Sequence, residues 1–151
     1  SYSVTGVQTC ALPISHEFGQ WLVAEKIPTL GICYGHQLLA SMFGAEIIRN
    51  PAGFEFGNKI LTIQNDSFPL FAGLSPPFKG MMAHFDIISR LPAEFRNFAS
   101  TAKTPFAAVQ YFKSGFPLLL FGVQFHPEIS PKNLAKVFFA NFLEVCRSPN
   151  R

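Results

Sequence analysis

Charge is scarce in this chain: only 14% of its 151 residues are Asp, Glu, Lys or Arg. The net charge of +3 comes from Lys and Arg placed singly between Lys26 and Arg151. No basic cluster of the kind that neutralises a row of phosphates is present, so nucleic acid is not an expected partner. Long hydrophobic runs are lacking too. The longest, Phe116 to Val123, is far too short to span a bilayer and contains Pro and Gly. It reads as a buried strand, and no membrane partner is expected. The three cysteines, Cys10, Cys33 and Cys146, are an odd number without disulfide-like or CxxC spacing. That pattern favours a reducing compartment, the cytoplasm by default. There is no GxxxxGK[ST] loop or other nucleotide-binding glycine motif, no internal repeat and no linker.

What the chain has in quantity is apolar and aromatic material, 48% hydrophobic residues with 18 Phe, enough for one globular domain with an aromatic interior. Residues 1–15 stand apart. They carry no charge and no periodicity that continues past residue 15, and they read as a foreign or disordered leader ahead of a domain over residues 16–151. A signal peptide fits poorly, because there is no basic start and the apolar piece is interrupted by Gln8, Thr9 and Pro13.

From His16 the pattern becomes regular. Phe18, Trp21, Leu22 and Val23 fall at helical spacing, IPTLGI reads as a buried strand, and YGHQLLASMFG reads as a helix with Leu38, Leu39, Met42 and Phe43 on one face, closed by Gly44. Strand, tight turn and helix make an α/β unit. AEIIRN and NKILTI read as short strands around the turn-rich NPAGFEFG, and SFPLFAGLSPPFKG as irregular. After MMAHFDIISRLP, the segments FRNFASTA, AAVQYF and PLLLFGVQF are strand candidates. The last element is a helix with Ser130 as N-cap, Pro131 at its first position, and Leu134, Val137, Phe138, Phe142 and Val145 on one face.

The stretch GICYGHQ sets Cys33 between Gly31 and Gly35 at the end of a predicted strand. A residue on a sharp strand-to-helix turn has a strained backbone, and glycines on either side avoid collision with it. This is the cysteine form of the G-x-S-x-G nucleophile elbow. The helix N-terminus beyond it is expected to lower the thiol pKa. From the glycines alone, a nucleophile and a buried structural cysteine both remain open. A second island, GVQFHPE, places His126 and Glu128 on the same side of an extended backbone, with Pro127 restricting the histidine. A cysteine nucleophile needs a base, and the base an orienting carboxylate. His36 follows Cys33 by three residues. A zinc site of Cys33, His36, His126 and Glu128 is geometrically conceivable, but an elbow requires no metal, and none is expected.

With these motifs in this order the chain resembles the class I glutamine amidotransferases, closest to the branch similar to the glutaminase domain of GMP synthase. GICYGHQLLA matches the nucleophile motif and GVQFHPE the His-Glu motif. NPAGFEFGNKILTI, LFAGL and AHFDIISRLP extend the match from about Trp21 to Phe142. The resemblance implies a flavodoxin-like three-layer α/β fold with a mostly parallel sheet, lacking the family's early strands and its glycine-rich GGP-type loop ahead of the elbow. It implies a Cys33-His126-Glu128 triad that hydrolyses glutamine through a thioester, with no cofactor and with ammonia passed to a synthetase subunit or domain. The Tyr34 N–H would be an oxyanion donor, and Gln37 a substrate contact. Gly31 and Gly35 would flank the substrate, while Phe56 and Gly57, beside Glu55, would line its pocket. His84 and Asp86 match a segment near the pocket and carry no assigned role, His84 reading as a structural or interface residue. Alternatives of other kinds are a stand-alone γ-glutamyl hydrolase or peptidase, and an inactive fragment or partner-binding module.

Overall fold

The computed structural model describes residues 15–148. The segment read as a leader lies outside them, apart from residue 15. Helix α1, residues 15–24, leads through a turn at Glu25 and Lys26 into strand β1 (Thr29–Ile32), which is followed directly by helix α2 (Tyr34–Ser41). Strands β2 (Glu46–Arg49), β3 (Glu55–Ile60), β4 (Thr62–Ile63), β5 (Lys79–His84), β6 (Asp86–Arg90), β7 (Phe95–Ser100), β8 (Ala108–Lys113) and β9 (Phe116–Val123) come next, and helix α3 (Lys132–Arg147) comes last.

The central sheet has five strands in the order β1-β9-β8-β7-β4. Only β1 and β9 are parallel, with Gly31 beside Gly122, while the other three pairings are antiparallel. The sheet is therefore mixed, where a mostly parallel one was expected. The reason is local. Ser114 and Gly115 have φ of 51° and 82°, the left-handed pair that a two-residue type I′ hairpin needs, and such a hairpin can only join antiparallel strands. Two further antiparallel pairs, β2 with β6 and β3 with β5, stand beside this sheet. Strand β3 begins at Glu55, so part of the segment read as a turn is strand.

Helices cover both faces, as expected for three layers. Leu22 and Val23 of α1 and Leu39 of α2, with Met42 just after it, pack with Phe95, Val109, Tyr111 and Leu120. On the opposite face Leu134 and Phe138 of α3 join Phe98, Ala108, Phe121 and Val123. Successive residues of one strand, Leu120 and Phe121 for example, thus serve different layers. The aromatic interior is built edge to face, with Phe125 and Phe138 at 5.7 Å and Phe68 and Phe71 at 4.7 Å. Phe18 and Trp21 do not join the core. Both are about half exposed and stack on each other at 5.8 Å, which leaves Leu22 and Val23 as the packing side of α1.

Ser130 is not the N-cap of α3. Pro131 holds that place, and the Ser130 hydroxyl instead donates to the His126 carbonyl at 2.6 Å and accepts from the Met81 N–H at 2.9 Å. Among the described residues no helix is long and apolar enough to cross a membrane.

Candidate active site

Cys33 sits between the end of β1 and the start of α2, with φ 53° and ψ −103°. A non-glycine residue held there is strained, and its N–H is pinned to the Val123 carbonyl at the end of β9, 2.9 Å away. The reason for Gly31 is steric. A Cβ there would lie 2.4 Å from the Gly35 carbonyl oxygen, because the first turn of α2 folds back over β1. Gly35 has open space where its Cβ would be, so the steric demand of the elbow rests on Gly31 and not on both glycines as expected.

The Cys33 sulfur is half-buried, and burial pushes its pKa up. The Tyr34 N–H and the Gln124 side chain act against that rise, and the Glu128 charge adds to it. The expectation of a lowered thiol pKa is thus overturned. Lost hydration of the thiolate outweighs the donors that the helix start supplies. Gln124 Nε2 lies 3.7 Å from Sγ, and the Ala83 carbonyl of β5 lies 3.9 Å from it.

His126 follows β9 in extended conformation, and Pro127–Ile129 form a single 3-10 turn. His126 Nδ1 and Glu128 Oε1 are 2.6 Å apart. The His126 backbone is fixed by its N–H to the Met81 carbonyl, 2.7 Å, and by Ser130 from below. Cys33 follows β1 and His126 follows its parallel neighbour β9, and both are tied to β5, the sulfur near the Ala83 carbonyl and the His126 N–H on the Met81 carbonyl. The carboxyl ends of parallel strands are where α/β sheets place their ligands. His36 does not join them. It is fully buried, its Nε2 is bonded to the Phe106 carbonyl at 3.0 Å, and its ring lies against Gly122, where a Cβ would be 2.5 Å from Nδ1. Burial lowers its pKa to about 4, so the ring is neutral. The zinc grouping conceivable from sequence is therefore not assembled.

Gln37 is buried, and its Nε2 bonds the Asp86 carbonyl at 2.9 Å and Gln124 Oε1 at 3.1 Å. The Asp86 carbonyl also meets His84 Nδ1, 2.9 Å, and His84 Nε2 meets Glu55 Oε1, 3.0 Å. Thr101 and Thr104 donate to Glu55 at 2.5 and 2.6 Å. Burial works to raise the Glu55 pKa, but the bonds from His84, Thr101 and Thr104 prevail and hold it low. A backbone carbonyl only accepts, so His84 Nδ1 carries a proton. Its Nε2 lies against the Glu55 carboxylate and beside the Thr104 hydroxyl, 3.2 Å away, in a buried cluster. Glu55 thus lies inside the β3–β5 pair, while its neighbour Phe56 is exposed, stacked on Phe54 at 5.8 Å, and paired in register with Ala83. Gly57 follows in the same strand with φ 102°. Asp86 pairs its side chain with Arg49 at 3.0 Å.

Sequence reasoning missed Gln124 at the sulfur, the serine support beneath His126, and the threonines on Glu55. Gln124 lies within the GVQFHPE island, two residues before the histidine. Nothing local marks Thr101 or Thr104.

Residues 5–146 match the family model described as glutamine amidotransferase class-I. The GMP synthase [glutamine-hydrolyzing] of Thermosipho africanus is 36% identical over 123 residues, which are 82% of this chain and 23% of that protein. A GMP synthase [glutamine-hydrolyzing] subunit of Ignicoccus hospitalis is 33% identical over 122 residues, 81% of this chain and 62% of its own length. The chain thus spans about a quarter of the first of these relatives and about three-fifths of the second. A crystal structure of a candidate GMP synthase subunit from Thermoplasma acidophilum aligns with a TM-score of 0.76 at 30% identity, covering 89% of this chain and 64% of that one. A glutamine amidotransferase from Thermotoga maritima aligns at 0.67 and 23% identity over 93% and 57%, and shares the same α/β fold with helices about a mixed sheet.

Proposed function

Since this chain belongs to the class I glutamine amidotransferase family, we propose that it hydrolyses the side-chain amide of glutamine, with Cys33 as nucleophile, His126 as acid and base, and Glu128 as the group that orients the histidine. One observation supports the reading: a strained cysteine follows β1, and a carboxylate-bound histidine follows β9, the strand parallel and adjacent to it. With Nδ1 held by Glu128, the histidine keeps Nε2 for the reacting atoms.

The Cys33 sulfur attacks the amide carbonyl carbon while its proton passes to His126 Nε2. The oxygen becomes an oxyanion, for which the Tyr34 N–H is one donor. When the C–N bond breaks, the nitrogen takes the proton from His126 and leaves as ammonia, and a γ-glutamyl thioester remains. Water then attacks that carbonyl, His126 accepts its proton, and the C–S bond breaks to release glutamate and restore the thiol. Ammonia passes to a synthetase subunit or domain, of the kind the GMP synthase relatives suggest, in the cytoplasm.

The test is labelling with an electrophilic glutamine analogue, mapped by mass spectrometry, with Cys33→Ser as control. An adduct on Cys33 that excess glutamine blocks is expected. A folded sample that takes no label at Cys33 refutes the reading.

A further inference from the structure

Gln124 is fully buried, although it carries an amide with two donor sites and an acceptor. Burying such a group is costly unless each end has a partner. Its own N–H goes to the Ala107 carbonyl, 2.9 Å, so the backbone is fixed in line with β9. Its side chain lies between two groups, Gln37 Nε2 at 3.1 Å and Cys33 Sγ at 3.7 Å.

Which end of the amide faces the sulfur is decided by a backbone atom farther along. The Asp86 carbonyl can only accept, so the Gln37 group 2.9 Å from it must be its NH2. The other hydrogen of that NH2 points at Gln124, which must therefore answer with its oxygen. The NH2 of Gln124 is then left facing Sγ. The polarity of the whole chain of bonds is set by Asp86, and His84, donating to the same carbonyl, holds that residue in place.

We propose that Gln124 is a positioning residue for the nucleophile: it presents an N–H to the Cys33 sulfur in a direction dictated, through Gln37, by the Asp86 backbone carbonyl. The inference deepens the proposed reaction and rests on it only for the role of Cys33. A donor aimed at sulfur favours the thiolate over the thiol and holds Sγ in one rotamer. It opposes the two influences that favour the thiol, burial and the charge of Glu128 from the turn after β9. Gln37 acts through Gln124 and touches no sulfur itself.

The experiment uses the ligand-free, full chain and follows the pH dependence of alkylation by iodoacetamide, with the adduct at Cys33 separated from Cys10 and Cys146 by peptide mass spectrometry. Gln124→Met keeps the length and removes the donor. Its Cys33 midpoint is expected to rise by about one pH unit, a tenfold smaller thiolate fraction at pH values below it. Gln37→Leu frees the Gln124 amide to turn and should move the midpoint in the same direction. The double variant should go no further than Gln124→Met. An unmoved midpoint in folded Gln124→Met overturns the proposal. If that variant does not fold, an unmoved midpoint in folded Gln37→Leu does so instead. Iodoacetamide needs no glutamine pocket, so failure of the analogue labelling would leave this result readable, and failure here would leave the labelling result standing.

Discussion

His36 couples the nucleophile helix to pH. It lies three residues past Cys33, fully buried, with Nε2 on the Phe106 carbonyl and its ring against Gly122. Burial holds its pKa at about 4 in the folded chain, against 6.5 for the free side chain. The unfolded chain therefore takes up a proton as pH falls through 6.5, while the folded chain stays neutral down to about 4. Stability is full above 6.5, falls across that window, and changes no further from this source below it. At about 1.4 kcal/mol per pH unit, the whole window amounts to about 3 kcal/mol, and the part between pH 7 and pH 5 to about 2 kcal/mol. His36→Gln keeps a donor for Phe106 and does not titrate. Urea unfolding of both chains near pH 7 and near pH 5 isolates the histidine, because the other titrating groups are common to the two. The natural chain is expected to lose about 2 kcal/mol more than the variant on acidification. An equal loss in both would refute the reasoning, since it would mean that His36 is as readily protonated folded as unfolded.

Two further outcomes concern the elbow and its carboxylate. Gly31→Ala would force a methyl group to 2.4 Å from the Gly35 carbonyl, a backbone atom that cannot swing aside. It should cost about 1–3 kcal/mol or more in urea unfolding and suppress analogue labelling at Cys33, and a variant with both intact would show that α2 can shift without harm. Glu128→Gln should lower glutaminase turnover by about a hundredfold or more, by loosening the His126 ring. It should also lower the Cys33 alkylation midpoint, because the carboxylate charge raises that pKa. A rise in the midpoint would contradict the electrostatics of the site.

The parts legible in the sequence are those whose causes are local. The elbow could be read because Gly31, Cys33 and Gly35 are within one turn of each other. His126 and Glu128 could be read because Pro127 confines the backbone between them. Other features depend on partners far along the chain. Glu55 meets His84 through the register of β3 with β5, a separation of 29 residues that no periodicity reports. Ser130 has the neighbours of an N-cap, but its hydroxyl is drawn to the Met81 N–H of a strand 49 residues earlier. The mixed character of the sheet turned on Ser114 and Gly115, a two-residue turn whose left-handed conformation was not recognised. The thiol pKa was misjudged for a related reason. The helix start is visible in sequence, whereas the burial that opposes it depends on the whole fold around Sγ.

The raised thiol pKa bears on how the proposed reaction must run. A resting thiol carries its own proton, so formation of the C–S bond has to be coupled to transfer of that proton to His126. The two donors at the sulfur then have different fates. The Tyr34 N–H, which acts on Sγ in the free protein, is also the donor proposed for the oxyanion. One N–H cannot serve both fully, but the demands are sequential. As sulfur binds carbon it gives up its negative character, and the charge that needs the N–H moves to the oxygen. Gln124 has no such second task. Its NH2 stays directed at sulfur because Asp86 fixes its polarity through Gln37, so it is available when the thioester breaks and negative charge returns to Sγ. On this argument loss of the Gln124 donor should weigh more on hydrolysis of the thioester than on its formation.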